Sequence, residues 1–370
     1  MAFKVTPWEV SGDVDYDKLI KQFGTERIDD ALLRRIQKHS GRLHHFLRRR
    51  LFFSHRDMNW LIDQHEKGRE WALYTGRGPS GHTHLGHLIP WMFTKWLSDT
   101  FNVPLYFQLT DDEKFLFKET LSLEEANGFA HENALDMIAL GFSPKRLKIL
   151  IDTEHAGLMY PEAIRVAKKI TYSTTKAVFG FTNDTNIGQI FYTSMQAVPA
   201  MIPSILAGKK VPVLIPHAID QDPHFRVARD VLPKIGYEKP ASIHCRFLPA
   251  LYEGGKMSAS VSHTAIYTTD TAKQVRDKVN KYAFSGGRAT VEEHRKKGGD
   301  PDIDVSFQYL TYFEEDDKRL QSIRDDYESG KMLSGELKAI LIEKLNRFLV
   351  KHQEKREKAR TRLDKYLLKA

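Results

Sequence analysis

The chain has 370 residues, of which 41% are hydrophobic and 28% are charged. This balance excludes a disordered chain and is sufficient for one large hydrophobic core with a smaller second domain. The net charge of +8 favours contact with a polyanion, with nucleic acid as the leading candidate. Cys245 is the single cysteine, which excludes an internal disulfide and a thiolate metal site. A reducing compartment is expected, and no protein-bound metal ion is predicted.

Neither the N-terminus nor the interior carries a clear membrane signal. The N-terminus lacks the basic start, apolar core and small-residue cleavage site of a secretory signal, so a cytoplasmic location is predicted. The most membrane-like window, residues 187–206, is interrupted by two glutamines and two prolines. It is therefore predicted to be buried core, and no membrane association is expected.

Residues 1–70 are polar and basic, and apolar residues at helical spacing predict a helical N-terminal segment. From Trp71 the pattern changes to short apolar runs alternating with helical patterns. Strands are predicted at residues 71–75, 103–110, 147–152 and 211–215. Ser122-Leu-Glu-Glu125 is a capping box that predicts a helix reaching about Leu140, where Gly141 ends it.

This alternation predicts an α/β catalytic domain over residues 71–262, built on a Rossmann-type, doubly wound parallel sheet. After Ser260 helical patterns dominate, notably at residues 305–313, 316–329 and from 334 onward. We therefore predict an all-helical domain over residues 263–355 and a basic C-terminal helix over residues 356–370.

Two histidines three residues apart, His84 and His87, lie in a glycine-rich turn that follows the strand predicted at residues 71–75. In an open α/β sheet such a turn lies at the ligand crevice, where helix N-terminal N–H groups attract phosphate. The imidazoles can donate to phosphoryl oxygens as charge develops in a transition state. In isolation, the motif more often indicates that His87 caps the helix and His84 lines the core.

The second signal is Lys256-Met-Ser-Ala-Ser260, which follows the flexible pair Gly254-Gly255. A loop of this kind can swing, so the Lys256 ammonium could meet a triphosphate only in a closed state. Alone, it would be read as a surface lysine in a glycine-rich loop. Together the two motifs predict activation of a nucleoside triphosphate at its α-phosphate.

In this order the motifs resemble the two signatures of class I aminoacyl-tRNA synthetases, in the form found in tryptophanyl-tRNA synthetases of the eukaryotic and archaeal type. The resemblance spans most of the chain. It is carried by Phe52-Phe-Ser-His-Arg-Asp57, Leu73-Tyr-Thr-Gly-Arg-Gly-Pro-Ser80, Gln108-Leu-Thr-Asp-Asp-Glu-Lys114, Ala218-Ile-Asp-Gln-Asp-Pro223, Lys256-Met-Ser-Ala-Ser260 and Ala283-Phe-Ser-Gly-Gly-Arg288.

The resemblance implies that Tyr74 and Gln108 bind the indole N–H of L-tryptophan. It assigns the substrate ammonium to Glu113, Gln196 and Gln221. Neutral acceptors suit a neutral N–H, and a carboxylate suits an ammonium removed from water. Without the resemblance, Gln196 would be read as a satisfied core glutamine.

The resemblance also implies a site for ATP with Mg²⁺. Asp220 would hold the ribose, Lys114 would approach the phosphates, and the segment around residues 7–10 would cover the nucleotide. Asp220 could instead cap a turn. The remaining nucleotide contacts are expected from Gly86, Met257 and Ser258. The catalytic groups implied are His84, His87, Lys256 and Ser258, which would stabilise the α-phosphate during attack by the tryptophan carboxylate.

The implied macromolecular partner is tRNA(Trp), and the implied assembly is a homodimer. The helical domain would bind splayed anticodon bases, with Arg288 as the leading contact. Eukaryotic relatives typically carry an acidic residue after this arginine, whereas this chain has Ala289, which leaves the anticodon contacts open. Arg48–Arg50 and the basic C-terminal helix could also touch tRNA, but solvated helix faces are the expected reading.

Three other functions fit parts of this pattern. A tyrosyl-tRNA synthetase shares the sheet and both motifs, but Ala218-Ile-Asp-Gln-Asp-Pro223 and the alanine of the lysine motif argue against it. A small-molecule nucleotidylyltransferase uses His-x-Gly-His but is usually short and lacks a basic helical domain. A non-enzymatic RNA-binding protein derived from a synthetase is disfavoured because both motifs are intact.

Overall fold

The computed structural model describes residues 14–252, 256–257 and 263–369, together with the backbone at 4–5, 10–11 and 262. Its strands are β1 (Lys4–Val5), β2 (Val10–Ser11), β3 (Glu26–Arg27), β4 (Phe52–Arg56), β5 (Ala72–Arg77), β6 (Leu105–Leu109), β7 (Leu147–Ile151), β8 (Val213–Ala218) and β9 (Ala241–Cys245). Strands β1 and β2 form an antiparallel hairpin. The seven other strands form one sheet in the order β3-β4-β9-β8-β5-β6-β7.

The five strands from β9 to β7 are parallel, and β4 joins their edge antiparallel to β9. Strands β6 and β7 extend from β5 in one direction, and β8 and β9 extend in the other. The strand order therefore reverses between β5 and β8. In an open α/β sheet the ligand crevice lies at the C-terminal ends of the strands at such a reversal. The predicted doubly wound parallel sheet is confirmed.

Helices cover the sheet and continue into a helical C-terminal region. They are α1 (Tyr16–Phe23), α2 (Asp30–Ser40), α3 (His45–Arg48), α4 (Met58–Glu66), α5 (Leu85–Phe101), α6 (Asp111–Phe117), α7 (Leu123–Ala139), α8 (Ala156–Ala167), α9 (Tyr172–Phe179), α10 (Ile187–Met195), α11 (Ile202–Ala207), α12 (Asp222–Val231), α13 (Ala272–Tyr282), α14 (Val291–Lys297), α15 (Val305–Phe313), α16 (Asp317–Glu328) and α17 (Ser334–Arg360). Among the described residues, no helix combines the length and apolar character needed to cross a membrane.

The capping box at Ser122 is formed as predicted. The Ser122 hydroxyl accepts from the Glu125 N–H at 3.1 Å, and the Ser122 N–H donates to the Glu125 carboxylate at 2.9 Å. Gly141 adopts φ 95° two residues after the end of α7. A glycine reaches this left-handed conformation without steric cost, which is why the helix ends there.

Replacing Ser122 with alanine is expected to lower the free energy of unfolding by about 1 kcal/mol, because an N–H in the first turn of α7 loses its acceptor. Urea denaturation measures this change. The Ser122→Asn variant keeps a capping oxygen and should match the parent chain. An equal loss in both variants would contradict the capping role.

The prediction that residues 1–70 form a helical N-terminal segment is wrong in part. Residues 52–56 form β4, which is inserted between β3 and β9. Phe52, Phe53, Ser54 and His55 are all buried, so neither face of this strand meets solvent. Because a strand buried on both faces does not alternate polar and apolar residues, its pattern is hard to distinguish from that of a buried helix.

The predicted boundary between residues 355 and 356 is also wrong, because α17 runs without a break from Ser334 to Arg360. The C-terminal half of this helix packs on α7, which lies between β6 and β7 in the region of the parallel sheet. His352 Nε2 lies 3.0 Å from an Asp136 oxygen, and Arg356 Nη2 lies 2.6 Å from a Glu132 oxygen. The same helix therefore contacts both the helical C-terminal region and the region of the parallel sheet.

The segment 187–206 is mostly buried core, as predicted, but it is made of α10, a short 3-10 helix and α11. Residues 192–195 and 197–203 are buried in α10, α11 and the turn between them, whereas Ile187 at the start of α10 is 84% exposed. Pro199 and Pro203 lie in the first turns of a short 3-10 helix and of α11. Proline is tolerated there because the first turn of a helix has N–H groups without intrahelical acceptors.

Candidate functional site

A cavity of about 490 Å³ opens at the C-terminal ends of the parallel strands, at the reversal between β5 and β8. It brings together residues that lie far apart in the sequence. Of the residues predicted for the site, it is lined by Tyr74, His84, Gly86, His87, Gln108, Glu113, Lys114, Gln196, Asp220, Gln221, Lys256 and Met257. Both motifs and the predicted tryptophan pocket therefore face one space.

The histidine turn begins α5. His84 is the residue before the helix, with extended backbone, and its N–H donates to His87 Nδ1 at 3.3 Å. The two imidazoles stack with ring centroids 3.6 Å apart. A capping role and a ligand-binding role for these histidines are therefore compatible. The hydrogen bond between His84 and His87 starts the helix, and both residues also line the cavity.

The surroundings of both imidazoles favour the neutral form, with His84 buried and His87 half-buried. Desolvation holds the pKa of His84 and of His87 well below the usual value, and the Arg77 guanidinium adds to this effect. His84 Nδ1 is buried without a hydrogen-bond partner. Neutral imidazoles still carry one N–H each and can donate to an anion that enters the cavity.

Arg77, at the end of β5, holds the turn in shape. Its guanidinium donates to the Thr83 hydroxyl and to the carbonyls of Gly81 and His82. Sequence reasoning quoted Arg77 within a motif but gave it no role. A buried arginine that follows a strand and precedes a glycine-rich turn is a signal for such internal anchoring.

Lys256 reaches the same cavity from the far end of the chain. Its Nζ lies 2.5 Å from Asp220 Oδ2, and Asp220 is almost fully buried. The Met257 N–H donates to the Leu248 carbonyl at 2.9 Å, which anchors the described part of this loop. Asp220, in a short helical turn after β8, thus pairs with a lysine rather than capping a turn.

Downstream of the lysine loop the chain returns directly to the histidine turn. Leu85 N–H donates to the Ile266 carbonyl at 2.9 Å, and Thr268 N–H donates to the Thr83 carbonyl at the same distance. These two hydrogen bonds join the described segment after the lysine motif to the turn that carries His84.

The predicted indole acceptors form one hydrogen-bonded cluster. The Tyr74 hydroxyl donates to Gln108 Oε1 at 2.5 Å, and Gln196 Nε2 lies 2.6 Å from the Tyr74 oxygen. Gln196 is half-buried at the end of α10, and the Tyr192 hydroxyl donates to its side-chain amide oxygen Oε1. Gln196 is thus a satisfied glutamine that also faces the cavity, and Tyr192 is a member of the cluster that sequence reasoning missed.

Glu113 and Lys114 also line the cavity. Lys114 Nζ lies 2.7 Å from Glu113 Oε1, and the Thr110 hydroxyl donates to Glu113 Oε2 at 2.6 Å. A Cβ at Gly78 would lie 1.8 Å from Lys114 Cε. A side chain at position 78 would therefore displace the end of the Lys114 side chain, which crosses the glycine backbone.

Some predicted residues fall elsewhere. Ser258 and residues 6–9 lie outside the described residues. Arg288 is exposed beyond the cavity, and its Nε donates to the Gly298 carbonyl at 2.9 Å. Ala289, the neighbouring departure from the family pattern, is also exposed.

The basic clusters are not simply solvated helix faces. Arg48 and Arg49 both bind Asp317 of α16, at 2.7 and 2.6 Å. Arg356 of the C-terminal basic segment is buried against α7. The prediction of solvated faces is wrong for these three arginines, because spacing along a helix does not show which face another domain covers.

One histidine and aspartate cluster among the described residues could in principle hold a metal ion: His217, Asp222 and His244. Arg56, however, binds Asp222 at 2.8 and 2.9 Å, and each ring nitrogen of His244 lies within 3.0 Å of a serine hydroxyl. A guanidinium already neutralises the carboxylate, so these contacts give the cluster a structural role between β4, β9 and α12.

This fold and site define a class of protein. The family model described as tRNA synthetases class I (W and Y) matches residues 66–350, and the chain belongs to that family. Its relatives specify the type further. The chain is 51% identical to the tryptophan--tRNA ligase of Pyrobaculum aerophilum over 366 residues, which is 99% of this chain and 97% of that protein.

A human relative, the cytoplasmic tryptophan--tRNA ligase, is 51% identical over 367 residues, or 95% of this chain and 78% of that protein. The solved tryptophanyl-tRNA synthetase of Plasmodium falciparum superposes with a TM-score of 0.90 at 44% identity, covering 96% of this chain and 98% of that one. The resemblance stated from the motifs is confirmed over nearly the whole chain.

Proposed function

We propose that this chain activates L-tryptophan with ATP to tryptophanyl-adenylate, releasing pyrophosphate, and transfers the tryptophanyl group to the 3′-terminal ribose of tRNA(Trp). The observation that carries the proposal is the convergence of three groups on one cavity. These are the stacked His84 and His87 rings, the Lys256–Asp220 pair, and the Tyr74–Gln108–Gln196 cluster. An enzyme of this family joins an amino acid to a nucleotide, and the cavity offers distinct chemistry for each.

The end of the cavity that is proposed to bind the amino acid has one pair of hydrogen-bond acceptors and one charged group. Tyr74 and Gln108 are proposed to accept the indole N–H, while Glu113 receives the ammonium with help from Gln196 and Gln221. Lys114 now neutralises Glu113, so an arriving ammonium would replace one cation with another. This exchange would leave Lys114 free to turn toward phosphate.

The nucleotide end needs no general base, because the tryptophan carboxylate is already ionised at neutral pH. In-line attack on the α-phosphate then depends on positioning and charge stabilisation. The neutral imidazoles of His84 and His87 would donate N–H groups to the phosphoryl oxygens, and Lys256 would add a positive charge. Asp220 would then be released to bind the ribose hydroxyls.

Mg²⁺ would neutralise charge on the triphosphate. The described carboxylates that line the cavity, Glu113 and Asp220, are each paired with a lysine. The donor set therefore fits a metal ion that is held mainly by the nucleotide. Gly86 and Met257 would border the nucleotide, and Ser258 is proposed to add a contact from the lysine loop.

The substrate assignment is tested by pyrophosphate exchange with each of the twenty amino acids. Exchange that depends on tryptophan and not on tyrosine is expected, because Tyr74 and Gln108 offer acceptors to the indole N–H. Exchange driven by tyrosine alone would overturn the assignment. Charging of tRNA(Trp) is measured in parallel, and adenylate formation without any charging would favour a nucleotidylyltransferase.

We also propose a homodimer that acts in the cytoplasm, with Arg288 as a tRNA contact. The relatives from yeast and human are both named as cytoplasmic ligases. The net charge of +8 supports binding of a polyanion. Sedimentation of the chain alone and with tRNA(Trp) measures both the oligomeric state and the complex.

A further inference from the structure

Gln108 is the buried centre of the proposed indole site, and its two ends face different neighbours. Its Oε1 accepts from the Tyr74 hydroxyl at 2.5 Å. Its Nε2 donates to both oxygens of Asp152, at 2.8 and 3.1 Å. Gln108 is fully buried and Asp152 is 1% exposed, so the amide group is held between the cavity and a buried carboxyl.

Asp152 follows β7 directly, one strand further along the sheet than Gln108. It is not among the residues assigned to substrate, and it does not line the cavity. Burial raises its pKa well above the usual value, and the neighbouring charge and hydrogen bond of Asp112 act in the same direction. The hydrogen bond between Asp152 and Asp112 gives a proton on this pair a partner other than Gln108.

A glutamine amide can point either its oxygen or its NH₂ group in a given direction with little change in shape. These two orientations have opposite effects on the binding of an indole N–H. The amide oxygen accepts a hydrogen bond from the indole N–H, whereas the NH₂ group repels it. Both Asp152 oxygens lie within hydrogen-bond distance of Gln108 Nε2, and the Tyr74 hydroxyl donates to Oε1 on the other side, so these contacts favour the orientation in which NH₂ faces backward. The oxygen then faces the cavity.

We propose that Asp152 is a specificity-determining positioning residue, which selects substrates with a ring N–H by fixing the amide orientation of Gln108. This inference rests on the proposed tryptophan-activating function. Gln196 Nε2 also donates to Gln108 Oε1, at 3.0 Å, but Gln196 lines the cavity and is itself proposed to bind the substrate ammonium. The Asp152 contact lies behind the cavity and is not disturbed by substrate.

A purely structural role for Asp152 makes a different prediction. If its hydrogen bonds only stabilise the fold, its loss lowers activity with every amino acid in the same proportion. If it orients Gln108, its loss lowers activity with tryptophan and spares an analogue without the N–H. The ratio of kcat/KM for tryptophan to that for the analogue separates the two.

The probe is β-(benzothiophenyl)alanine, in which sulfur replaces the indole N–H. Pyrophosphate exchange is measured with both amino acids for the parent chain, Asp152→Leu, Asp152→Ala and Asp152→Asn. The matched control is Asp111→Asn, a nearby buried carboxyl that binds Thr153. Calorimetric binding of both amino acids accompanies the kinetics, because it does not require turnover.

The expected result is a ratio that falls at least about tenfold in Asp152→Leu and Asp152→Ala, chiefly through a higher KM for tryptophan. Asp152→Asn should stay within about threefold of the parent ratio, because Asp112 would attract its NH₂ group and leave its oxygen toward Gln108. If Asp152→Leu does not fold, Asp152→Ala and the rescue by Asp152→Asn test the inference instead.

An unchanged ratio in the folded leucine or alanine variant would overturn the inference, as would a parent ratio near one. Neither result would contradict the proposed tryptophan-activating function. A parent chain without tryptophan-dependent exchange would instead refute the function itself, so the two failures are distinguishable.

Discussion

Replacing Lys256 with alanine is expected to lower the rate of tryptophan-dependent pyrophosphate exchange about 10²–10³-fold. The reason is that a preorganised charge directed at the α-phosphate acts mainly in the transition state, and loss of one such donor has an effect of this size. The Kd for tryptophan should change little, because Lys256 pairs with Asp220 rather than with the amino-acid end of the cavity. Exchange kinetics and calorimetric tryptophan binding measure the two quantities.

The alanine variant also leaves the buried Asp220 without its cation, so a second variant is needed. Lys256→Gln can still donate to Asp220 but carries no charge. It should be nearly as slow as the alanine variant if charge is what matters. Lys273→Ala, at an exposed lysine of α13, is the control and should match the parent. A parent-like rate in both Lys256 variants would refute the proposed role.

Replacing His84 with asparagine is expected to lower the rate of adenylate formation by about 10²-fold. Asparagine is a favourable residue before the first turn of a helix, so the start of α5 should be preserved while the imidazole is lost. The His84 ring stacks on His87 and holds a buried nitrogen without a partner, which makes it available to a ligand. Single-turnover formation of the adenylate measures the change.

His82→Asn provides the matched control, because His82 is exposed and lies two residues earlier in the same turn. It should stay within about twofold of the parent rate. The thermal unfolding midpoint of the His84 variant should remain close to that of the parent. If the rate in His84→Asn equals that of the parent, His84 has no role in adenylate formation. If the variant is much less stable than the parent, the role of His84 is to cap α5.

Both lysines proposed for phosphate are paired with carboxylates. Lys114 pairs with Glu113, and Lys256 pairs with Asp220. Each carboxylate is proposed to bind a different part of the substrates, namely the ammonium and the ribose. Substrate binding would therefore release both cations toward the triphosphate, which couples recognition to charge stabilisation without any new residue.

The local elements were predicted well because their causes are local. The Ser122 capping box and Gly141 define α7 through contacts within a few residues. The helix predicted at residues 305–313 is observed as α15 (Val305–Phe313). Strands β4 and β9 were not predicted, because the buried polar residues Ser54, His55, Ser242 and His244 interrupt the continuous apolar run that identified the four predicted strands.

By itself, the sequence determined the α/β class, the family, the two nucleotide motifs and the residues that were expected to meet substrate. Those properties depend on residue type and local spacing. Only the tertiary structure decided that Asp152 stands behind Gln108, that Lys256 pairs with Asp220, and that Arg356 is buried on α7. Each of these contacts joins residues separated by tens to hundreds of positions, so the register of the parallel strands and the packing of α17 had to bring them together.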